Sequence, residues 1–277
     1  LAAAGGQRLD DASPFVDARL PDGTRLHAVL PPLAVDGTVI SLRVLRRAAY
    51  PLEALVASGS VAPVVAETLA WLVLRRANVL VSGATGTGKT TLLAGVLALV
   101  PPDERIVCLE ESGELDPDHP HVVRLVARQP NVEGVGGIDL TRLVREALRM
   151  RPDRIVLGEC RGAEVREVLT ALSTGHEGSW ATVHARTAQD VPARLEALGA
   201  LAGLSPSMVA AQAGAAVDAV VHLRRDAGRR RVAQIGATAV EGDRLVVREV
   251  LGVDAGGGVR RGSGWPAFEQ RWCGAGR

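Results

Sequence analysis

Lysine is all but missing from this chain of 277 residues. Among its 32 lysines and arginines a single lysine occurs, Lys89, inside Gly83-Ala-Thr-Gly-Thr-Gly-Lys-Thr90. Arginine stands wherever a generic cation would serve, so the exception marks a place where it does not. A slot between two phosphate groups is such a place: it admits a slim ammonium and rejects a broad planar guanidinium. Aromatic residues make up only 3% of the chain, too few for a platform on which bases of single-stranded nucleic acid stack. The net charge of +1 supplies no global field toward nucleic acid or membrane. No apolar run reaches the roughly 18 residues that span a bilayer. The three cysteines, Cys108, Cys160 and Cys273, are far apart and form no C-x-x-C or His/Cys ligand spacing. That argues against zinc and fits a reducing cytoplasm. The chain opens on Leu1 instead of Met, so further sequence is expected ahead of it.

What is abundant is aliphatic. The chain is 47% hydrophobic, mostly Ala, Val and Leu, which suits an α/β protein with a large core. Residues 1–12 read as an irregular stub. Phe15–Leu20 and Arg25–Leu30 alternate around the turn signal Pro21-Asp22-Gly23, and Val39–Leu45 reads as a third strand. From Asn78 the grammar becomes strand, helix, strand. Expected strands are Asn78–Ser82, Arg105–Glu110, Val122–Ala127, Ile155–Gly158 and Ser179–His184. Between and after them lie expected helices at Thr90–Val100, Leu140–Met150, Ala163–Ser173, Ala188–Ala202 and Pro206–Val217, and Val64–Arg75 precedes the set. A hairpin, Ala219–Arg224 with Arg231–Ala237, closes the series around Asp226-Ala-Gly228. Repeated strand–helix units imply a mainly parallel sheet that binds its ligand at the carboxyl ends of the strands. The expected division is 1–48 as the end of a small β-rich domain, 49–62 as linker, 63–252 as the main domain and 253–277 as a disordered tail.

Five groups of residues carry chemistry. Glycines 83, 86 and 88 let the backbone curl and aim N–H groups at phosphate oxygens, ahead of a helix N-terminus. The nucleotide-binding set is Gly83, Ala84, Thr85, Gly86, Thr87, Gly88, Lys89, Thr90 and Thr91. Lys89 is expected on the β- and γ-phosphates of ATP and the Thr90 hydroxyl on Mg2+. The strand Arg154-Ile-Val-Leu-Gly-Glu159 ends in an acid that can hold Mg2+, directly or through water. The strand ending in Glu110-Glu111 offers a base for the attacking water, with Glu110 the stronger candidate. His176 and His184 flank an expected strand and can hydrogen-bond a phosphate or a catalytic carboxylate. Arg124 and Arg128 can stabilise transition-state charge on a neighbouring subunit's nucleotide, or serve as surface ion pairs. The run Arg224-Arg225 and Arg229-Arg230-Arg231 reads as a solvated hairpin edge.

Longer stretches identify a family. Ser13-Pro-Phe-Val-Asp-Ala-Arg-Leu-Pro-Asp-Gly-Thr-Arg-Leu26, Glu133-Gly134, Ala147-Leu-Arg-Met-Arg-Pro-Asp-Arg-Ile-Val-Leu-Gly-Glu-Cys-Arg-Gly162, Thr174-Gly-His-Glu-Gly-Ser179 and Thr182-Val-His-Ala185 resemble the type II/type IV secretion ATPases, most closely their Tad-pilus (CpaF-like) branch. The resemblance covers roughly residues 10–250. Glu110-Glu111 stands where Glu-Asp is usual, Gly-His-Glu-Gly where Gly-His-Asp-Gly is usual, and Cys160 in place of a small apolar residue. The resemblance implies a RecA-like P-loop core preceded by part of a small α+β domain, with nucleotide between the two and Arg25 or Arg43 facing it. It implies a homo-hexamer, peripheral at the inner face of the cytoplasmic membrane, that hydrolyses ATP and works on a membrane platform protein in pilus assembly or secretion. A DNA-linked motor of a conjugal transfer system is the alternative, although charge and composition speak against direct contact with nucleic acid.

Overall fold

The computed structural model describes residues 1–44, 50–226 and 228–274. Strands β1 (Phe15–Arg19), β2 (Arg25–Val29) and β3 (Val39–Arg43) pair antiparallel in that order. The turn between β1 and β2 is set locally: the Asp22 carboxylate accepts from the Thr24 N–H at 2.9 Å, and Gly23 takes φ +90°. Alternation puts Val16, Ala18, Leu26 and Ala28 on one buried face, while β3 is exposed along its length.

The larger sheet has nine strands among the described residues, in the order β12-β11-β10-β9-β4-β8-β7-β5-β6. These are β4 (Val79–Gly83), β5 (Ile106–Glu110), β6 (Val122–Val126), β7 (Arg154–Cys160), β8 (Trp180–Val183), β9 (Ala219–Asp226), β10 (Arg229–Glu241), β11 (Arg244–Val253) and β12 (Val259–Arg261). The run from β9 through β6 is parallel, and β10 to β12 extend it antiparallel. Its centre is buried on both faces, which explains why β4 and β5 read as unbroken apolar runs.

Helices cover the two faces. On one side lie α1 (Leu52–Ala57), α2 (Pro63–Leu74) and α3 (Lys89–Leu97), packed on Val79, Val81, Cys108 and Val156. On the other lie α4 (Leu140–Ala147), α5 (Val165–Ser173), α6 (Val191–Leu201) and α7 (Pro206–Ala216), packed on Leu80, Val107, Leu109 and Leu157. Capping fixes several starts: Asp139 accepts from the Arg142 N–H at 2.8 Å, and Ser205 from the Met208 N–H at 3.2 Å ahead of Pro206. No helix among the described residues is long and apolar enough to cross a membrane.

Two segments differ from expectation. The stretch read as a linker carries α1, with Leu52 buried and the backbone at Tyr50 so close to α3 that a Cβ on Gly95 would lie 2.7 Å from the Tyr50 carbonyl oxygen; its residues 49 and, upstream, 45–48 lie outside the described residues. The stretch read as a disordered tail instead forms β12, the short helix α8 (Trp265–Phe268) and a π-helical turn, Glu269–Cys273. Trp265, Phe268 and Trp272 are buried against the α2 side of the core. Gly and Arg dominate its composition and conceal three aromatic residues at helical spacing, whose burial holds the segment down. Residues 275–277 of that call lie outside the described residues, as does Ala227 in the expected turn.

Candidate functional site

Strand β4 pairs with β9 as far as Gly83 opposite Leu223, and the chain then leaves the carboxyl edge of the sheet. Gly83 (φ +151°), Gly86 (φ +74°) and Gly88 (φ +97°) curl the backbone into a cradle. A Cβ at Gly83 would meet the Leu223 carbonyl oxygen at 2.6 Å and Thr87 Oγ1 at 2.7 Å, so only glycine fits. Thr87 Oγ1 braces the loop by donating to the Ala84 carbonyl at 2.8 Å. Helix α3 starts at Lys89, pointing its N-terminus at the cradle.

Lys89 is only 8% exposed. Its Nζ donates to the carbonyls of Gly83 at 2.9 Å and Ala84 at 3.0 Å. Burial lowers its pKa below the ordinary lysine value, and Glu159 opposes that shift. Lys89 Nζ also lies 3.3 Å from Nδ1 of His184, whose Nε2 is 3.0 Å from Glu159 Oε1. These contacts suit one imidazole tautomer, with Nε2–H donating to Glu159 and Nδ1 accepting from lysine. Lys89, His184 and Glu159 therefore form one relay across the ends of β4, β8 and β7.

Glu110 ends β5 with 5% exposure. Its Oε1 accepts from the backbone N–H groups of Glu114 and Leu115, both at 2.9 Å. Burial pushes its pKa up, and those two hydrogen bonds and Arg124 offset part of the rise. A Cβ at Gly158 would sit 2.7 Å from Glu110 Cγ, so this glycine in β7 makes room for the carboxylate. Glu110, Lys89, Thr85, Gly86, Thr90, Thr91, Glu159 and His184 all line one cleft of about 380 Å³.

The three-stranded sheet supplies the opposite wall. Arg25 and Arg43 line the cleft; Arg25 donates to Ser112 Oγ at 3.0 Å, and Arg43 pairs with Glu114 at 2.7 Å. Arg161 reaches the cleft from the end of β7 and pairs with Glu111. Arg230 enters from the β9–β10 hairpin, where the sequence pattern predicts a solvated edge. An adjoining recess of about 340 Å³, walled by Tyr50, Leu55, Val61, Leu92, Leu223 and Val232, shares Gly88, Thr91 and Arg230 with the cleft.

Other candidates lie elsewhere. His176 precedes β8 whereas His184 follows it, so the strand carries them to opposite edges of the sheet. His176 sits by the Ala171 carbonyl at 3.3 Å, outside the cleft. Arg124 is locked beneath the loop after β5, donating to Asp116 at 2.9 Å and the Gly113 carbonyl at 2.8 Å. Arg128 donates to the Gly136 carbonyl at 2.7 Å. Neither lines this cleft. Arg154, at the start of the strand that ends in Glu159, is fully buried at the amino edge and bonds Glu104 at 2.6 Å and the Val73 carbonyl at 2.9 Å. Sequence reasoning missed Ser112, Glu114 and Arg230; for Arg230 the register of the hairpin beyond β4 was the available signal.

A family model described as "Type II/IV secretion system protein" matches residues 4–250. A Mycobacterium tuberculosis protein named for conjugal transfer is 54% identical over 263 residues, covering 92% of this chain and 75% of its own length. Conjugal transfer protein TrbB of Rhizobium radiobacter is 34% identical over 230 residues, covering 82% of this chain and 68% of its own. Among solved structures, the VirB11 ATPase of the Brucella suis type IV secretion system superposes with TM-score 0.55 at 26% identity, covering 85% of this chain and 78% of that one.

Proposed function

The chain belongs to the type II/IV secretion system protein family, and we propose that it hydrolyses ATP as the ring-forming motor of a secretion or pilus machine. The observation that carries this reading is the buried Lys89, linked through His184 to Glu159 and sharing a cleft with Glu110. The residues present fit a Mg2+-nucleotide. The glycine cradle offers N–H groups for the α- and β-phosphates and Lys89 a cation for the β- and γ-phosphates. Thr90 and Glu159 would hold Mg2+, which supplies charge neutralisation when bound. Glu110, one oxygen fixed by backbone N–H groups, orients or deprotonates the attacking water. The apolar recess beside Gly88 and Thr91 suits the nucleobase. Because Arg25 and Arg43 meet the cleft from the three-stranded sheet, loss of the γ-phosphate would alter how that sheet is held. In a homo-hexamer this is the motion a membrane platform protein would feel, and Arg124 and Arg128 would act only from a neighbouring subunit.

The decisive measurement is phosphate release by the wild type, Glu110→Gln and Glu159→Gln. Turnover that falls in both variants supports the motor; turnover unchanged in both refutes it. Two branches compete for the cargo. The motifs favour a Tad-type pilus machine. The names of the Mycobacterium and Rhizobium relatives favour conjugal transfer. Stimulation of phosphate release by single-stranded DNA selects the second branch, and its absence together with stimulation by membranes carrying platform proteins selects the first.

A further inference from the structure

The cleft holds five cations, and four are already engaged. Arg25 bonds Asp17 and Ser112, Arg43 pairs with Glu114, Arg161 pairs with Glu111, and Lys89 is held by carbonyls and His184. Arg230 alone has no hydrogen-bonded or ionic partner among the described residues. Its place follows from strand register. Gly83, the last residue of β4, pairs with Leu223, and β9 continues to Asp226. Leu223 pairs with Val232, Arg224 with Arg231 and Arg225 with Arg230. Arg230 thus overhangs the end of β4 by two residues, about 7 Å. The period-two pleat places it on the side of Val232, which packs in the same core layer as α3. Its Cδ comes within 3.5 Å of where a Cβ on Gly88 would be. Its neighbour Arg231 is occupied differently, with Asp226 at 2.7 Å.

We propose that Arg230 is a cis-acting binding residue for the α-phosphate of the nucleotide. The assignment rests on the nucleotide reading above. Within it, the acids and the other three arginines gather around Glu110 and Glu159, where the terminal phosphate reacts. Arg230 stands instead where the cleft and the apolar recess meet, sharing Gly88 and Thr91 with both. A nucleotide bridging the two spaces puts its α-phosphate at that junction. An unpaired guanidinium there gains a charge-assisted hydrogen bond without first breaking an ion pair. The contact is the same for diphosphate and triphosphate, and does not change as the γ-phosphate leaves, so it contributes to binding rather than to the chemical step.

The test compares the whole chain with Arg230→Gln and Arg230→Ala, using calorimetric titration with MgADP and MgATP and phosphate release at saturating ATP. Arg225→Gln, across the same hairpin, is the control. The expected result is a rise in Kd of roughly tenfold for both nucleotides in both Arg230 variants, with kcat within about twofold and Arg225→Gln unchanged. Melting without nucleotide checks that the variants fold, as expected for an exposed side chain. Unchanged MgADP affinity overturns the assignment, whether or not kcat falls; a fall in kcat alone would put Arg230 on the γ-phosphate. If the wild type binds neither nucleotide, the nucleotide reading fails as well; if it binds and only the variants' expected loss is missing, this assignment alone fails.

Discussion

Lys89 and Glu110 are both buried ionisable groups, and the cost of burying each is tied to what it can do. The Lys89 ammonium sits among carbonyl oxygens in a space shaped by Gly83 and Thr87. Lys89→Arg is expected to lower phosphate release by roughly 10²-fold or more, because the wider head cannot occupy that space. A malachite-green assay on the purified variant checks it. Glu110 has a folded pKa above its ordinary value. Its stabilising contribution is therefore complete at pH below the unfolded value, about 4.3, and is lost as pH rises through the folded value. Glu110→Gln retains an acceptor for the two backbone N–H groups and removes the charge. It should melt at least as high as the wild type at pH 7, with the difference shrinking toward pH 4, while turnover falls by about 10²-fold or more. A melting series across pH, run beside the activity assay, shows both. These two residues were legible in the sequence because Lys89 closes a glycine loop and Glu110 ends a short apolar strand. Gly158 was not: it matters through its closeness to Glu110 on the neighbouring strand, a contact between residues 48 positions apart.

Elements at the amino edge and on the α2 side hold the site without touching it. Arg154 ties the start of β7 to Glu104 and the Val73 carbonyl in a fully buried position. Arg154→Ala takes one of two arginine partners from Glu104, Arg76 remaining at 2.9 Å, and vacates a fully buried position; it is expected to cost about 3–5 kcal/mol, read by denaturant unfolding. The segment from Trp265 to Cys273 likewise covers the core: Trp272→Ala is expected to cost about 3–5 kcal/mol and to leave MgADP affinity of the folded protein unchanged. Calorimetric melting and titration of the same sample separate the two effects. Strands and helices of the parallel sheet lie close to their expected positions, since buried apolar runs and 3.6-residue periodicity are local signals. The terminal segment escaped notice because its order depends on partners far back in the chain, such as Arg75, which donates to the Arg271 carbonyl at 3.2 Å.

For the whole molecule, the cleft joins two sheets that are separate in hydrogen bonding. Arg25 and Arg43 come from the three-stranded sheet, Glu110, Glu159 and His184 from the carboxyl ends of strands in the larger one, and Lys89 from the helix that follows its glycine loop. A ligand gripping both walls should stabilise them together. MgADP at 100 times its Kd is expected to add about 2.7 kcal/mol to unfolding stability, seen as a rise in Tm that Lys89→Ala abolishes. A melt with and without nucleotide is sufficient.

By itself the sequence determined the glycine cradle, its lone lysine, the acids at two strand ends and the α/β order, because each is written in adjacent residues or in a regular period. Which of the candidates meet is a matter of folding and not of motif. The fold brought His184 to Lys89 and sent His176 to the far edge, since a strand separates its two ends whatever motif they share. It buried Arg154, paired Arg124 with Asp116, and left Arg230 open above the cradle. In a chain that uses arginine for nearly every cation, residue type says little about role. Distance from the glycine cradle and the presence of a partner carboxylate separate one arginine from another, and both are set by strand register and packing.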